Sequence, residues 1–192
     1  MIQAKNLYFK YEDGFILKNI NLEIKEGSFT SIIGSNGSGK TTLAKHFNAL
    51  LIPAKGNVTV DGLDTRQNEF NARKKVGFVF QNFEDQLIYS IVEEDIAFGL
   101  ENLELKNDEI SKRVDKILIR LNIKNLAKNN VNLLSYGQKQ LVALAGVLAM
   151  KPKCIVFDEP TATLDAKNKQ NIMNKIKELN KKDKITIILI TN

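Results

Sequence analysis

The stretch Gly34-Ser35-Asn36-Gly37-Ser38-Gly39-Lys40-Thr41 directly follows the strand-sized apolar run Phe29-Thr30-Ser31-Ile32-Ile33. A strand that feeds a glycine-rich loop and then a helix is an α/β arrangement built around an anion. Three glycines let backbone N–H groups turn inward around phosphate oxygens. The helix that starts near Lys40 aims the positive end of its dipole at the same anion. The pattern assigns Gly34, Ser35, Asn36, Gly37, Ser38, Gly39, Lys40, Thr41 and Thr42 to the wall of a nucleotide site. Lys40 is expected to reach the β and γ phosphates, and the Thr41 hydroxyl to bind Mg²⁺. A plain glycine-rich turn with a surface lysine would not need strand, loop and helix in this order.

Such a loop does not by itself separate ATPases, GTPases and kinases. The second element is Cys154-Ile155-Val156-Phe157-Asp158-Glu159-Pro160, an apolar run that ends in two acids. A buried parallel strand delivers Asp158 at its carboxyl end, where ligands sit in open α/β sheets, within reach of Mg²⁺. Glu159, one residue on, is expected to orient and polarise an attacking water. Phosphoryl transfer needs mainly positioning and charge stabilisation, so one carboxylate for the metal and one for the water suffices.

The bulk numbers restrict the setting. With 192 residues, 43% of them hydrophobic, the chain supports one sizeable core. No apolar run approaches the roughly 20 residues needed to cross a bilayer, and residues 1–10 alternate apolar and polar without the basic cap and apolar block of a secretion signal. A cytosolic location is expected. The single cysteine, Cys154, lies in the apolar run and reads as a small buried hydrophobe. The net charge of +6 is spread along the chain as scattered lysine, so it reads as solvated surface and no nucleic-acid partner is expected.

Residues 2–33 read as short strands with turn signals at Glu12-Asp13-Gly14 and Glu26-Gly27, and 57–60 followed by Asp61-Gly62 adds another, together a largely antiparallel sheet region. In 108–121, Ile110, Val114, Ile117, Leu118 and Leu121 recur at helical spacing, with Asp108 set to cap the start. The stretches 153–158 and 185–190, with Ile172, Met173, Ile176 and Leu179 at helical spacing between them, read as strand, helix, strand with buried parallel strands.

Leu134-Ser135-Tyr136-Gly137-Gln138, followed by Lys139-Gln140, resembles the ABC signature motif, usually Leu-Ser-Gly-Gly-Gln, and stands before the acidic strand as it does in that family. Ser135 can cap the helix that follows, whose Leu141, Leu144, Ala145 and Leu148 have core spacing. The resemblance implies that Ser135, Gly137 and Gln138 meet the γ-phosphate bound in an opposite subunit, so that two ATPs are sandwiched in a head-to-tail dimer. Tyr136 departs from the usual glycine. Tyr11 resembles the aromatic residue that stacks on adenine, and Gln81 the glutamine that contacts Mg²⁺ and water. Thr163-Leu164-Asp165 resembles the D-loop, with Asp165 acting across the dimer interface and capping the next helix.

The resemblance covers essentially the whole chain. It implies a P-loop NTPase core of the ABC ATPase type with an antiparallel β subdomain and a helical subdomain over about 82–150. One ATP-binding domain is expected over 1–192, lacking the family's C-terminal part. The stretch Gln81-Asn82-Phe83-Glu84-Asp85-Gln86 through Val92-Glu93-Glu94-Asp95-Ile96-Ala97-Phe98-Gly99 resembles energy-coupling-factor importer ATPases, including the cobalt-importer type, as does 48–64. Its acids read alternatively as a solvated helix face. The implied partners are a second copy or a paralogous ATPase, a transmembrane coupling subunit and a separate membrane subunit that captures a vitamin or transition-metal ion. The implied location is peripheral, on the cytoplasmic face of the membrane, with ATP and Mg²⁺ bound. A soluble ABC ATPase acting in DNA repair or on ribosomes is the rival from another class. A nucleotide-binding subunit that hydrolyses poorly is the third reading.

After 185–190 the family continues Thr-His, the histidine holding the γ-phosphate and the attacking water. Here Thr191 precedes Asn192. An asparagine amide donates to a phosphate but neither becomes cationic nor takes a proton, so slower hydrolysis is expected. An α-carboxylate at Asn192, about 4 Å from the γ-phosphate, would cost on the order of 4 kcal/mol at an effective dielectric near 20. His46 sits among Leu43, Phe47 and Leu50 and is not expected to replace the histidine.

Overall fold

The alternating start of the chain forms two long antiparallel strands, β1 (Ile2–Tyr11) and β2 (Gly14–Ile24), with Ile2 opposite Ile24 and Tyr11 opposite Gly14. The computed structural model describes all residues except Asp13 and Thr163. The middle residue of the expected Glu12-Asp13-Gly14 turn and the first of the expected D-loop therefore lie outside the described residues. β3 (Phe29–Ile33) is the exception within the largely antiparallel region expected over 2–33, because it leaves that sheet and pairs in parallel elsewhere. Local alternation cannot announce such a change of partner, since it reports only which faces are apolar. β4 (Lys55–Val60) lies on the other side of β1 and β5 (Leu63–Asp64) completes the order β2-β1-β4-β5.

The second sheet is parallel, in the order β3-β8-β7-β6, with β6 (Val76–Val79), β7 (Cys154–Asp158) and β8 (Thr186–Thr191). β7 is buried throughout and β8 almost so, as continuous apolar runs require when both faces are covered. Period-two alternation divides their side chains between two cores. Cys154, Val156, Ile188 and Ile190 pack with Ala44, Phe47 and the antiparallel sheet. Ile155, Phe157, Ile187 and Leu189 pack with the helices. Burying each such Ile or Leu contributes roughly 1.5–3 kcal/mol. Among the described residues, β3 is one of the two edge strands of this sheet and leaves Ile33 exposed.

Between β3 and β6 lie α1 (Lys40–Lys45) and α2 (Glu69–Lys75). The helical flank comprises α3 (Val92–Glu101), α4 (Asn107–Arg120) and the start of α5 (Tyr136–Ala149). In α4 the buried residues are Ile110, Val114, Ile117 and Leu118, the face expected from the spacing. Its N-cap is Lys106, so Asp108 does not cap it. Asp108 stands in the first turn instead, where a carboxylate still complements the helix dipole. α6 (Ala166–Lys181) crosses from β7 to β8. Among the described residues no helix is long and apolar enough to cross a membrane.

Candidate nucleotide site

The register of the parallel sheet brings the candidates that follow its strands to one rim. Ile33 pairs with Thr191, Asp158 with Ile190 and Val79 with Phe157, so the four strands end within two residues of one another. Gly34, Asn192, Glu159 and Gln81 follow those ends, at the rim where open α/β sheets bind ligands.

The loop after β3 turns through left-handed conformations at Gly37 (φ 78°) and Gly39 (φ 91°). A side chain at Gly39 would be strained by that φ and would meet Ile16 Cγ2 at 3.0 Å. Lys40 is buried, and its Nζ donates to the Gly34 carbonyl at 2.7 Å, the Ser35 carbonyl at 3.0 Å and Asn192 Oδ1 at 2.8 Å. The ammonium thus rests on the loop's own oxygens, in the space that the loop encloses. Thr41 Oγ1 donates to Asp158 Oδ2 at 2.8 Å.

Asp158 is 3% exposed, and its Oδ1 is a buried acceptor with no hydrogen-bond partner among the described residues. Burial raises its pKa above the ordinary carboxylate value, against the lowering effect of the Thr41 hydrogen bond. A buried carboxylate oxygen left bare beside a threonine hydroxyl is the hard-oxygen donor pair that a small divalent cation takes, so the residues present fit Mg²⁺. Glu159 adopts φ 45°, an unusual backbone for a non-glycine residue that costs on the order of 1–3 kcal/mol and is met at functional sites. Its Oε2 accepts from Gln81 Nε2 at 3.3 Å, and its Oε1 lies 4.0 Å from Lys40 Nζ.

Tyr11, Ile16, Asn36 to Thr42 of the loop, Gln81 and Glu159 line one cavity of about 370 Å³. Tyr11 is 47% exposed, its ring edge-on to Phe9 at 4.9 Å, so it is not consumed by core packing. His46 is fully buried, stacked edge-on against Phe9 with Nδ1 2.7 Å from the Thr42 carbonyl, which leaves it packed in the interior.

The signature residues are not brought to this cavity. Ser135 caps α5 in a capping box: its Oγ accepts from Gln138 N, and Gln138 Oε1 accepts from Ser135 N at 2.9 Å. Ser135, Gly137 and Gln138 open on a separate hollow beside α6. Asp165 caps α6, accepting from Asn168 N at 3.0 Å, and stands outside the first cavity.

Three participants escaped the sequence reading. Gln140 is buried and donates through Nε2 to the Pro160 carbonyl at 2.7 Å, bracing the turn that carries Glu159. Asp95 accepts from Ile88 N at 2.6 Å and Tyr89 N at 3.0 Å, so it is a buried peg and not part of a solvated face. Phe83 is buried against the Tyr136 ring. The acids flanking Asp95 hid it, and for the other two the only local signal was an apolar or amide residue at core spacing.

Comparison with known proteins follows the same line. The ABC transporter family model matches residues 17–162. The energy-coupling factor transporter ATP-binding protein EcfA1 of Clostridium novyi (strain NT) is 51% identical over 199 residues, which cover 100% of this chain and 71% of that protein. EcfA1 of Caldanaerobacter subterraneus subsp. tengcongensis is 49% identical, covering 100% and 72%. Among solved structures, cbiO1 from Clostridium perfringens, part of the ABC transporter complex cbiONQ, superposes with TM-score 0.88 at 42% identity, over 100% of this chain and 78% of that one. The ATP-binding cassette MJ0796, in a dimeric post-hydrolysis state bound to ADP and Pi, gives TM-score 0.85 at 34% identity, over 100% and 88%.

Proposed function

The chain belongs to the ABC transporter ATP-binding family, and from that membership and the two separated faces described above we propose that it is the ATP-hydrolysing subunit of an energy-coupling-factor importer. One observation carries the reading. Residues 36–42 of the phosphate cradle, Thr41 among them, line one cavity with Gln81 and Glu159, and Asp158 is bonded to Thr41 behind that wall, while the signature helix starts on a different part of the surface. A site assembled from both needs two subunits, each lending its signature helix to the other's nucleotide. The second subunit is another copy of this chain or a paralogous ATPase.

In this reading Tyr11 stacks on the adenine, residues 34–42 wrap the phosphates and Lys40 exchanges its loop carbonyls for the β and γ phosphates. Thr41, Asp158 and Gln81 hold Mg²⁺, which neutralises phosphate charge when bound. Glu159 orients the attacking water and accepts its proton. Asn192, already bonded to Lys40, supplies a neutral contact near the γ-phosphate. Ser135, Gly137 and Gln138 meet the partner's nucleotide, and Asp165 contacts the partner across the interface. The chain is one ATP-binding domain whose helical subdomain spans about 82–150.

The coupling face lies away from the nucleotide. A groove of about 540 Å³ runs between α2, α3 and α5, lined by Ile88, Phe98, Gly99, Val147 and Met150 among others. Asp95 fixes one rim by holding the Ile88 and Tyr89 amides. An apolar groove of this size accepts a short helix of a membrane subunit, which makes the chain peripheral at the cytoplasmic face. Capture of a vitamin or metal ion then belongs to a separate membrane protein.

Ile88 is 60% exposed on that rim. Ile88→Glu, which puts a charge against the partner helix, is expected to cut the amount of polytopic membrane protein recovered with the tagged chain from detergent extracts by roughly tenfold or more. Recovery equal to the parent would remove the groove from the coupling role. A parent chain that brings down no membrane protein would sink the importer reading itself.

A further inference from the structure

We propose that Tyr136, which stands where the family keeps a glycine, is a positioning residue that ties the signature helix to the Gln81 loop of the same subunit. Through it, occupation of the subunit's own nucleotide site moves the helix end offered to the partner's nucleotide. The inference rests on the ATP-binding reading above.

The Tyr136 and Phe83 rings meet edge to face with centroids 4.4 Å apart. Phe83 is buried and opens the single 3₁₀ turn Phe83–Gln86, two residues after Gln81. Lys139 Nζ, three residues along α5 from Tyr136, pairs with Glu84 Oε1 of the same turn at 2.5 Å. Gln140 Nε2, four along, holds the Pro160 carbonyl at 2.7 Å. Positions i, i+3 and i+4 share a helix face. One face of the first turns of α5 is therefore fastened both to the segment after Gln81 and to the turn after Glu159.

Those two segments are already joined by the hydrogen bond from Gln81 Nε2 to Glu159 Oε2. Binding of Mg-nucleotide redirects both side chains toward phosphate, metal and water, so the bond must rearrange. A turn in van der Waals contact with an aromatic ring cannot shift without carrying the ring with it. Glycine at 136 would offer Phe83 no side chain, so the ring contact between α5 and that turn would be lost, while the partly exposed Lys139–Glu84 pair would remain and is weakened by solvent at Glu84.

The test is hydrogen–deuterium exchange on the chain with the Mg²⁺ complex of a non-hydrolysable ATP analogue, at a concentration where light scattering shows monomer. Protection of 34–42 reports binding at the cradle. In the parent and in Tyr136→Phe, exchange is expected to change on binding in 81–86 and in 134–140 together. In Tyr136→Gly and in Phe83→Leu, the response of 134–140 is expected to fall by about threefold or more while 34–42 stays protected. A tyrosine that merely packs would shift exchange of 134–140 equally with and without nucleotide, and that result overturns the proposal, as does an undiminished response in Tyr136→Gly. Failure of 34–42 to be protected in the parent would instead overturn the ATP-binding reading and the tie with it.

Discussion

Glu159→Gln lowers ATP turnover by about 10²–10⁴-fold while nucleotide binding persists, the range associated with loss of a positioned general base. Glu159 is poised for the role because its side chain is mostly buried at the cavity wall and carries two distinct neighbours, Gln81 on one oxygen and Lys40 facing the other. Glutamine preserves the shape, so the turn at φ 45° is not disturbed. It removes the carboxylate at the cavity wall that is placed to take a proton from water. Removing a negative charge near the γ-phosphate also eases ATP binding, so the expected signature is turnover lost with affinity kept or improved. Phosphate release and equilibrium nucleotide binding, measured side by side, check it. Turnover within a few-fold of the parent would remove Glu159 from its role.

The second large effect is on binding. Lys40 donates to three acceptors and is, among the described residues, the one lysine or arginine that is buried. Hydrogen bonds to charged groups contribute about 1.5–3 kcal/mol each, so losing two to phosphate weakens ATP binding by on the order of 10²–10³-fold or more. Lys40→Ala is accordingly expected to abolish binding at concentrations that saturate the parent. A thermal melt without nucleotide serves as the control, since the fold rests on the sheet and helix cores and not on this side chain. Retained affinity in a folded Lys40→Ala protein would show that phosphate is held elsewhere.

The cradle could be read from the sequence because its chemistry is local. Three glycines, a lysine and a threonine follow a strand, and backbone geometry does the rest. The acidic pair at Asp158 and Glu159 was readable for a similar reason, an apolar strand that ends abruptly in carboxylates. The capping of α5 by Ser135 and of α6 by Asp165 also depends on residues three positions apart. What the sequence concealed was pairing at a distance. β3 looks like its antiparallel predecessors, yet it joins a sheet with β8, more than 150 residues later. The bonds from Lys40 to Asn192 and from Thr41 to Asp158 depend on that sheet register. Asp95 reads as one acid among three, and burial alone sets it apart from Glu94. Asp108 and Lys106 differ by two positions as helix start, and either choice leaves an acid in the first turn.

The separation of faces also orders the three readings of function. Cradle, acids and signature helix start are all present, which is more than a nucleotide-binding regulatory partner requires. The groove between α2, α3 and α5 offers an apolar face away from the nucleotide, which a membrane subunit's helix fits better than a polyanion does. The scattered lysines form pairs such as Lys75 and Lys153 on Asp61, and Lys128 on Glu93.

On the reading above, ATP hydrolysis by this chain drives a membrane partner. Phosphate release by the complex recovered through the chain from detergent-solubilised membranes tests it most directly. The prediction is steady Mg-ATP turnover by a complex that contains a polytopic membrane protein, lost when the chain carries Glu159→Gln. Turnover that survives that substitution, or a chain recovered without membrane protein whose hydrolysis instead rises with DNA or ribosomes in membrane-free extract, would contradict it.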